Sequence, residues 1–416
     1  MNRRNFIKGL VASHLAATGF LSGSPLSYRI RPARAANGKT LIVIFQRGGC
    51  DGLNVVVPFG DPNYYALRPS IAIPRPSSDP TSALNLDNFF GLHPSMKPMH
   101  DIFTDGNLAV MPAVHYRDAS RSHFDGQQQI ESGTAEKLAD GWLNRQLQSE
   151  MDTAMLRAIG FGSGLPHSLR GDASVVTFND LSQFGLGDDN PQSQLLRTRL
   201  RSIFEQATTE DQYNRALIQK SGLTLLDNLS LFDQIDIENY SPENGAEYPN
   251  SSFGRQLRQT AQLIKENVGL EIATVDIGGW DSHSNQGGGE ENGSQARNLA
   301  QFASGIHAIY TDLGDRMNDI VILTMTEFGR TAKENASRGT DHGNAAAWFA
   351  IGHSIRGGVF GDWPGLAASQ LYEGRYLAHS IDFRDVFTEV LSRHLGTRNL
   401  TDVIPEHSYT PIGFLG

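Results

Sequence analysis

The stretch "EIATVDIGGWDSH" at residues 271–283 combines a predicted strand with a turn that carries reactive side chains. Its first seven residues form a largely continuous apolar run, which is typical of a strand covered on both faces. Two glycines then indicate a tight turn, and Asp281 and His283 follow at once. A carboxylate and an imidazole delivered together indicate a metal site, a proton-transfer pair or merely a well-capped loop.

Four further runs of the same kind lie at 40–45, 108–114, 319–325 and 348–352. Between them, segments such as 253–268 and 295–317 repeat apolar residues every three or four positions, as amphipathic helices do. Alternation of buried strands and helices predicts an α/β fold, in which a doubly wound, mostly parallel sheet has helices on both faces.

Three other segments have distinct patterns. Residues 192–245 are charged and helical in pattern, and we interpret them as a helical insertion on the main sheet. The glycine-rich stretch 285–295 predicts a mobile loop beside the site. The last helix is predicted at 382–396, opened by an aspartate cap and closed by a glycine.

The first 35 residues have the three parts of an export signal. A basic start contains Arg3 and Arg4, a short apolar run follows, and an A-x-A site ends at Ala35. The paired arginines resemble the signal of the twin-arginine export machinery; a disordered basic tail is the alternative. We expect residues 36–416 to form one α/β domain without a membrane span, located in the periplasm or secreted.

The chain is acidic, with 35 basic and 45 acidic residues. Six of the basic residues and none of the acidic residues lie in the first 35 positions, so the remainder has a net charge of −16. Such a surface repels the phosphate backbone of nucleic acid and is compatible with cation binding. The single cysteine, Cys50, permits no internal disulfide.

Polar residues cluster where the predicted strands end. Four such groups follow the carboxyl end of a strand, and a fifth precedes the strand at 348–352. Because the carboxyl ends of parallel strands meet at one edge of a sheet, we expect these remote segments to converge there. The candidate residues are Asp51, Asn54, His115, Arg121, Ser122, His123, Asp125, Asp281, His283, Glu327, Arg330, Asp341 and His342.

Carboxylates and histidines without thiolates suit divalent ions such as Zn²⁺, Mn²⁺ or Mg²⁺. Two such ions, about 4 Å apart, can clamp a phosphoryl or sulfuryl group during displacement. Crowded carboxylates also favour a cation, because like charges otherwise repel and become protonated. We therefore expect one or two divalent metal ions at this edge of the sheet.

The same residues have structural interpretations. Asp51 is typical of a turn aspartate that caps a following helix, and Glu327 and Arg330 are placed to form a salt bridge with each other. Arg330 equally suits a tetrahedral oxyanion, because its planar fork matches phosphate or sulfate. The histidines interpreted as structural are His93, His115 and His353.

Seven motifs in order resemble the exported bacterial family named domain of unknown function 1501. They are the twin-arginine leader, "FQRGGCDGLNVVVP" (45–58), "SRSHFDGQ" (120–127), "GGWDSH" (278–283), "TEFGRT" (326–331), "GTDHG" (339–343) and "DFRDVFTEVLSRHLG" (382–396). The family looks like a remote branch of the alkaline phosphatase and sulfatase superfamily. That resemblance implies two divalent-metal sites and a nucleophile at a helix start.

By that resemblance, Asp51 matches the metal aspartate after the first strand, and Ser122 matches the nucleophile. Asp281 and His283 match the next metal-binding turn, and His342 matches the late histidine.

The chain departs from the superfamily pattern at "TEFGRT", where an aspartate–histidine pair is usual. Either that pair has moved to Asp341 and His342, or Glu327 replaces it. The formylglycine signature of sulfatases is absent, since Cys50 is followed by "DGLN".

We therefore expect an exported metal-dependent hydrolase that acts on a phosphate or sulfate ester of a small molecule or glycan. Ser122 is the expected nucleophile, Arg330 or Arg121 would steady the transferred group, and His123 is a further catalytic candidate. The alternatives are a non-catalytic protein that binds a glycan or cell-wall component, and a transferase. The expected metal ligands are Asp51, Asp281, His283, Glu327, Asp341 and His342.

Overall fold

A nine-stranded sheet forms the centre of the molecule in the computed structural model. The structure describes residues 38–150, 156–162, 164–183, 191–206, 219, 222–227, 229, 232, 235–237, 239–290 and 292–416. The predicted leader, 1–35, and much of the predicted insertion at 192–245 lie outside these residues. Among the described residues, no helix is long and apolar enough to cross a membrane.

The strands of the large sheet are β1 (Thr40–Gln46), β5 (Leu108–His115), β6 (Ala158–Phe161), β7 (Val176–Phe178), β8 (Ile272–Ile277), β9 (Ile320–Met325), β10 (Ala346–Ile351), β11 (Gly358–Val359) and β12 (Ile381–Asp382). Their order across the sheet is β11-β5-β10-β9-β1-β8-β6-β7, and β12 pairs with β5. A small antiparallel sheet contains β2 (Val56–Val57), β3 (Leu84–Asn85) and β4 (Gly91–Leu92).

The helices mostly connect the strands. They are α1 (Gly52–Val55), α2 (Pro62–Leu67), α3 (Lys97–Thr104), α4 (His123–Ser132), α5 (Trp142–Ser149), α6 (Pro191–Glu205), α7 (Ser252–Lys265), α8 (Ser294–Leu313), α9 (Phe383–Glu389) and α10 (Leu400–Val403). The predicted cap of the last helix is present, since the Asp382 carboxylate accepts a hydrogen bond from the Arg384 amide. A π-helical turn, Val390–Leu395, continues α9 and ends at Gly396.

Helices cover both faces of the sheet, as adjacent residues of β10 demonstrate. Side chains alternate between faces along a strand. The Trp348 ring lies 5.7 Å from Phe387 of α9, whereas the neighbouring Phe349 ring lies 6.4 Å from Phe302 of α8. The predicted doubly wound α/β class is confirmed.

One strand of the large sheet, β10, runs antiparallel to both of its neighbours, β5 and β9. Its first residue therefore lies at the edge where the parallel strands end. This direction explains why the fifth polar group, which precedes β10 in sequence, still reaches the same edge as the other four.

Asp51 is held by a buried ion pair. Nη1 and Nη2 of Arg68 donate to the two carboxylate oxygens of Asp51 at 2.5 and 2.8 Å, and both side chains are essentially inaccessible. Gln286 Nε2 donates to the same carboxylate at 2.5 Å. Arg68 also donates to the carbonyl oxygens of Thr331 and Ala332. Protein donors therefore contact both oxygens of Asp51, the carboxylate that the sequence predicts as a metal ligand.

The glycine-rich segment contributes one buried side chain to this network. Gln286 is fully buried, and its backbone amide donates to the Arg338 carbonyl at 2.9 Å. Gln286 bridges Asp51 and Gln295, so the segment contacts the sheet edge at this residue.

Replacing Arg68 with methionine should lower the free energy of unfolding by about 3–5 kcal/mol, because the buried Asp51 carboxylate loses its counter-charge. The double variant Asp51→Asn/Arg68→Met also removes the negative charge and should recover part of that loss. Chemical denaturation followed by tryptophan fluorescence measures both. A single variant as stable as the wild type would contradict this account of Asp51.

Candidate metal centre

The buried guanidinium of Arg330 joins the loops that form the polar edge of the sheet. Its Nε donates to the Gly49 carbonyl at 2.5 Å, and its Nη1 donates to the Thr340 carbonyl at 3.1 Å. Its Nη2 donates to the Trp280 carbonyl at 3.1 Å and to Asp281 Oδ1 at 2.6 Å. The loops after β1 and β8 and the loop between β9 and β10 are thus tied to one side chain.

This arrangement corrects the expectation that Arg330 steadies a transferred group. Its side chain is 0% exposed, and all three of its nitrogens donate to the protein. Its salt bridge is with Asp281, whereas Glu327 has other partners. Gly48 permits the close approach of these loops, since its φ is +123° and a Cβ there would lie 2.8 Å from the Asp281 amide nitrogen.

Four side chains converge beside Arg330. His283 Nε2 lies 3.1 Å from His342 Nε2 and 2.9 Å from Asp281 Oδ1, and His342 Nε2 lies 3.3 Å from the same oxygen. His123 Nε2 approaches the other oxygen of Asp281 at 3.5 Å. Ligand atoms of a tetrahedral zinc ion, at about 2.0–2.1 Å from the metal, lie roughly 3.3 Å from one another. The four side chains are called the histidine cluster below.

The Nδ1 atom of each histidine in the cluster has a protein acceptor. His123 Nδ1 lies 2.8 Å from Glu327 Oε1, and His283 Nδ1 lies 3.0 Å from Asp341 Oδ1. His342 Nδ1 donates to the backbone carbonyl of Arg121 at 2.8 Å. Metal-binding histidines characteristically donate their other N–H to a carboxylate or carbonyl, which fixes the tautomer and directs the free nitrogen at the ion.

Glu327 and Asp341 are therefore placed behind the histidines. Glu327 is fully buried, and it also accepts hydrogen bonds from the Gly48 amide at 2.9 Å and from Gln127 Nε2 at 3.0 Å. These contacts place Glu327 and Asp341, both predicted from the sequence as metal ligands, against the Nδ1 atoms of His123 and His283.

Local contacts shift the pKa values of several of these groups. Burial alone would raise the pKa of Glu327, but the hydrogen bonds from His123, Gln127 and Gly48 outweigh it and lower the pKa. The hydrogen bond to Glu327 in turn raises the pKa of His123. Burial lowers the pKa of His342, which favours its neutral form. Burial opposes ionisation of Asp281, yet the Arg330 hydrogen bond lowers its pKa overall.

The cluster fits a divalent cation. His123 Nε2 is buried and has no hydrogen-bond partner among the residues that the structure describes, which is unfavourable for a polar atom unless something else binds it. Within the described residues, His123, Asp281 and His342 offer ligand atoms that all lie within 4.8 Å of one another. Three imidazoles and a carboxylate suit Zn²⁺ or Mn²⁺ better than Mg²⁺, which prefers oxygen ligands.

Two other candidates flank the cluster. The Arg121 guanidinium donates to Glu373 at 2.7 Å and stacks 4.1 Å above the Tyr376 ring, so its backbone carbonyl is the part that touches the cluster. Ser122 is exposed at the amino terminus of α4, directly before His123, and its hydroxyl makes no capping hydrogen bond.

Sequence reasoning missed three contributors. Gln127 lies four residues after His123, on the same face of α4, so helical spacing was an available signal. Arg68 and Gln286, which fix Asp51, carry no signal in the sequence, because their partners are remote along the chain.

Several solved structures align along most of the chain at low similarity. The C-terminal periplasmic domain of EcEptC from Escherichia coli, in complex with Zn, is 10% identical with a TM-score of 0.39, covering 89% of this chain and 88% of that one. Alkaline phosphatase from the Antarctic bacterium TAB5 is 10% identical with a TM-score of 0.34, covering 85% and 96%. Phosphonate monoester hydrolase of Agrobacterium radiobacter is 10% identical with a TM-score of 0.34, covering 90% and 78%.

At TM-scores this low, structural similarity does not indicate the function of this chain. Comparison with curated proteins gives no significant match. A family model matches residues 38–407, and the chain therefore belongs to the family described as "Protein of unknown function (DUF1501)".

Proposed function

We propose that this protein is an exported metal-dependent hydrolase of phosphate or sulfate esters. The observation that supports the proposal is the convergence of Asp281 and three histidines at the sheet edge. Each of these histidines is held by a protein acceptor at its Nδ1 atom. The cluster is reachable from solvent, since 47% of the Asp281 side chain and 46% of the His283 side chain are exposed. An ester could therefore approach the ligands directly.

The residues have distinct roles in this proposal. His123, His283, His342 and Asp281 hold the cation, while Glu327, Asp341 and the Arg121 carbonyl orient the imidazoles. A divalent ion bound there supplies Lewis-acid stabilisation of the charge that develops on the ester oxygens.

Ser122 is the proposed nucleophile. Its Oγ would form a bond to phosphorus or sulfur as the bond to the leaving alcohol breaks, and water would later release the group. The free amides at the start of α4 favour an anionic group beside this hydroxyl.

The proposed site of action is the periplasm or the cell exterior. This part of the proposal rests on the leader, in which Arg3 and Arg4 resemble the twin-arginine signal.

A non-catalytic binding protein is the second candidate. Four protein ligand atoms can fill a tetrahedral ion, and structural zinc sites are closed in this way, whereas catalytic sites keep an open position. The position of Arg330 favours this candidate further, because its guanidinium donates to Asp281 and to backbone carbonyls and is not offered to an oxyanion at the cluster.

The protein should bind one equivalent of zinc or manganese, and His342→Ala should remove it, because His342 supplies a central ligand nitrogen. His353→Ala is the matched control, since His353 bonds to Tyr310 and not to the cluster. Asp51→Asn should likewise retain the metal. Elemental analysis after dialysis measures all four proteins. Metal loss in Asp51→Asn, or full retention in His342→Ala, would contradict the assigned ligands.

Ser122→Ala should lower kcat for 4-nitrophenyl phosphate or 4-nitrophenyl sulfate by at least about a hundredfold, since it removes the nucleophile. Its metal content should not change. Ser149→Ala, whose hydroxyl bonds within α5, is the control and should keep full activity.

Unchanged turnover in Ser122→Ala would eliminate its nucleophilic role. Metal-loaded wild-type protein that cleaves neither ester would instead support the binding candidate.

A further inference from the structure

A cleft of about 740 Å³ lies beside the histidine cluster. Asp341, whose carboxylate holds His283, forms part of its wall. Leu67, Pro69 and Leu371 contribute apolar surface to the same cleft. Its volume is within the range of small-molecule sites, which are concave and largely apolar with a few polar groups.

Both carboxylates of the cleft already have donors. Glu334 accepts hydrogen bonds from the hydroxyl of Ser70 at 2.7 Å and from the amides of Ser70 and Ile71 at 3.0 and 3.1 Å. Asp341 accepts from His283 at 3.0 Å and from Asn335 at 3.2 Å. Their negative charges are thus partly satisfied by the protein.

The two cations of the cleft are not held in salt bridges. Within the described part of the chain, neither Lys333 nor Arg375 has a carboxylate within salt-bridge distance, and both side chains are exposed. The charge of Arg375 does act on Asp341, whose pKa it helps to lower. Arg375 also lies 5.5 Å from the Tyr376 ring centre, which limits where its guanidinium can be. Because the carboxylates of the cleft already accept hydrogen bonds from the protein, two cations outside salt bridges can attract a further anion.

We propose that this cleft binds a second anionic group of the substrate, and that the substrate is therefore an ester with at least two anionic groups. The proposal rests on the proposed function of the histidine cluster. One anionic group lies at the cluster, the other pairs with Lys333 and Arg375, and the part between them packs on the apolar wall. Such a substrate is a sugar bisphosphate or a multiply sulfated or phosphorylated glycan unit, and the shared chemistry is the second anion.

The test measures binding without turnover. The probes are alkane bisphosphonates with four to eight carbons between the anions and the matching alkyl monophosphonates, because their C–P bonds are not hydrolysed. Calorimetric titration of zinc-loaded protein should give at least tenfold tighter binding for the best bisphosphonate than for its monophosphonate. Lys333→Gln/Arg375→Gln should reduce this ratio to about one, with the monophosphonate affinity unchanged.

Lys97→Gln/Arg356→Gln is the matched control, because it removes two positive charges at exposed positions outside the cleft. It should keep the bisphosphonate preference. Each single variant should lose part of the preference, which keeps the test valid if the double variant folds poorly.

The proposal is overturned if the wild type shows no bisphosphonate preference or if the cleft variant retains it. Failure of the proposed function has a different signature. In that case the two nitrophenyl esters are not cleaved, whereas the bisphosphonate preference and its loss in the cleft variant are still measured.

Discussion

The contact between the buried guanidinium of Arg330 and the half-exposed carboxylate of Asp281 is the interaction on which the polar edge depends. A buried guanidinium is costly unless it is paired and hydrogen-bonded, and Arg330 meets that requirement with carbonyls from the loops after β1 and β8 and before β10. Asp281 accepts a further hydrogen bond from Arg330, and the same oxygen contacts His283 and His342 of the cluster. These contacts tie the loops to one another through a single side chain, and they place the residues of the histidine cluster side by side.

The antiparallel direction of β10 completes the histidine cluster. A strand in the parallel direction would have placed the segment before β10 at the opposite edge. Because β10 runs against β5 and β9, His342 meets His283 at 3.1 Å. Beyond the cluster, Glu327 and Asp341 form a second layer that fixes the imidazoles. The cationic cleft begins at Asp341, so the metal site and the proposed anion site share one wall.

Much of this arrangement was predictable from the sequence. The rest depends on interatomic contacts that only the folded chain makes. Continuous apolar runs identified the main strands, and the polar groups at their ends identified the edge. Asp281, His283 and His342 were among the expected ligands. The pattern could not separate the proposed ligands from the residues behind them, because Glu327 and Asp341 are carboxylates like Asp281. Asp51 pairs with Arg68, and Arg330 donates to carbonyls of distant segments. Those contacts exist only in the folded chain.

X-ray absorption at the zinc edge of the zinc-loaded protein tests the central claim most directly. The account predicts a first shell of nitrogen and oxygen at about 2.0–2.1 Å, with the outer-shell scattering of about three imidazoles and no sulfur. A first shell of oxygen alone, or one imidazole at most, would contradict the histidine cluster as the metal centre.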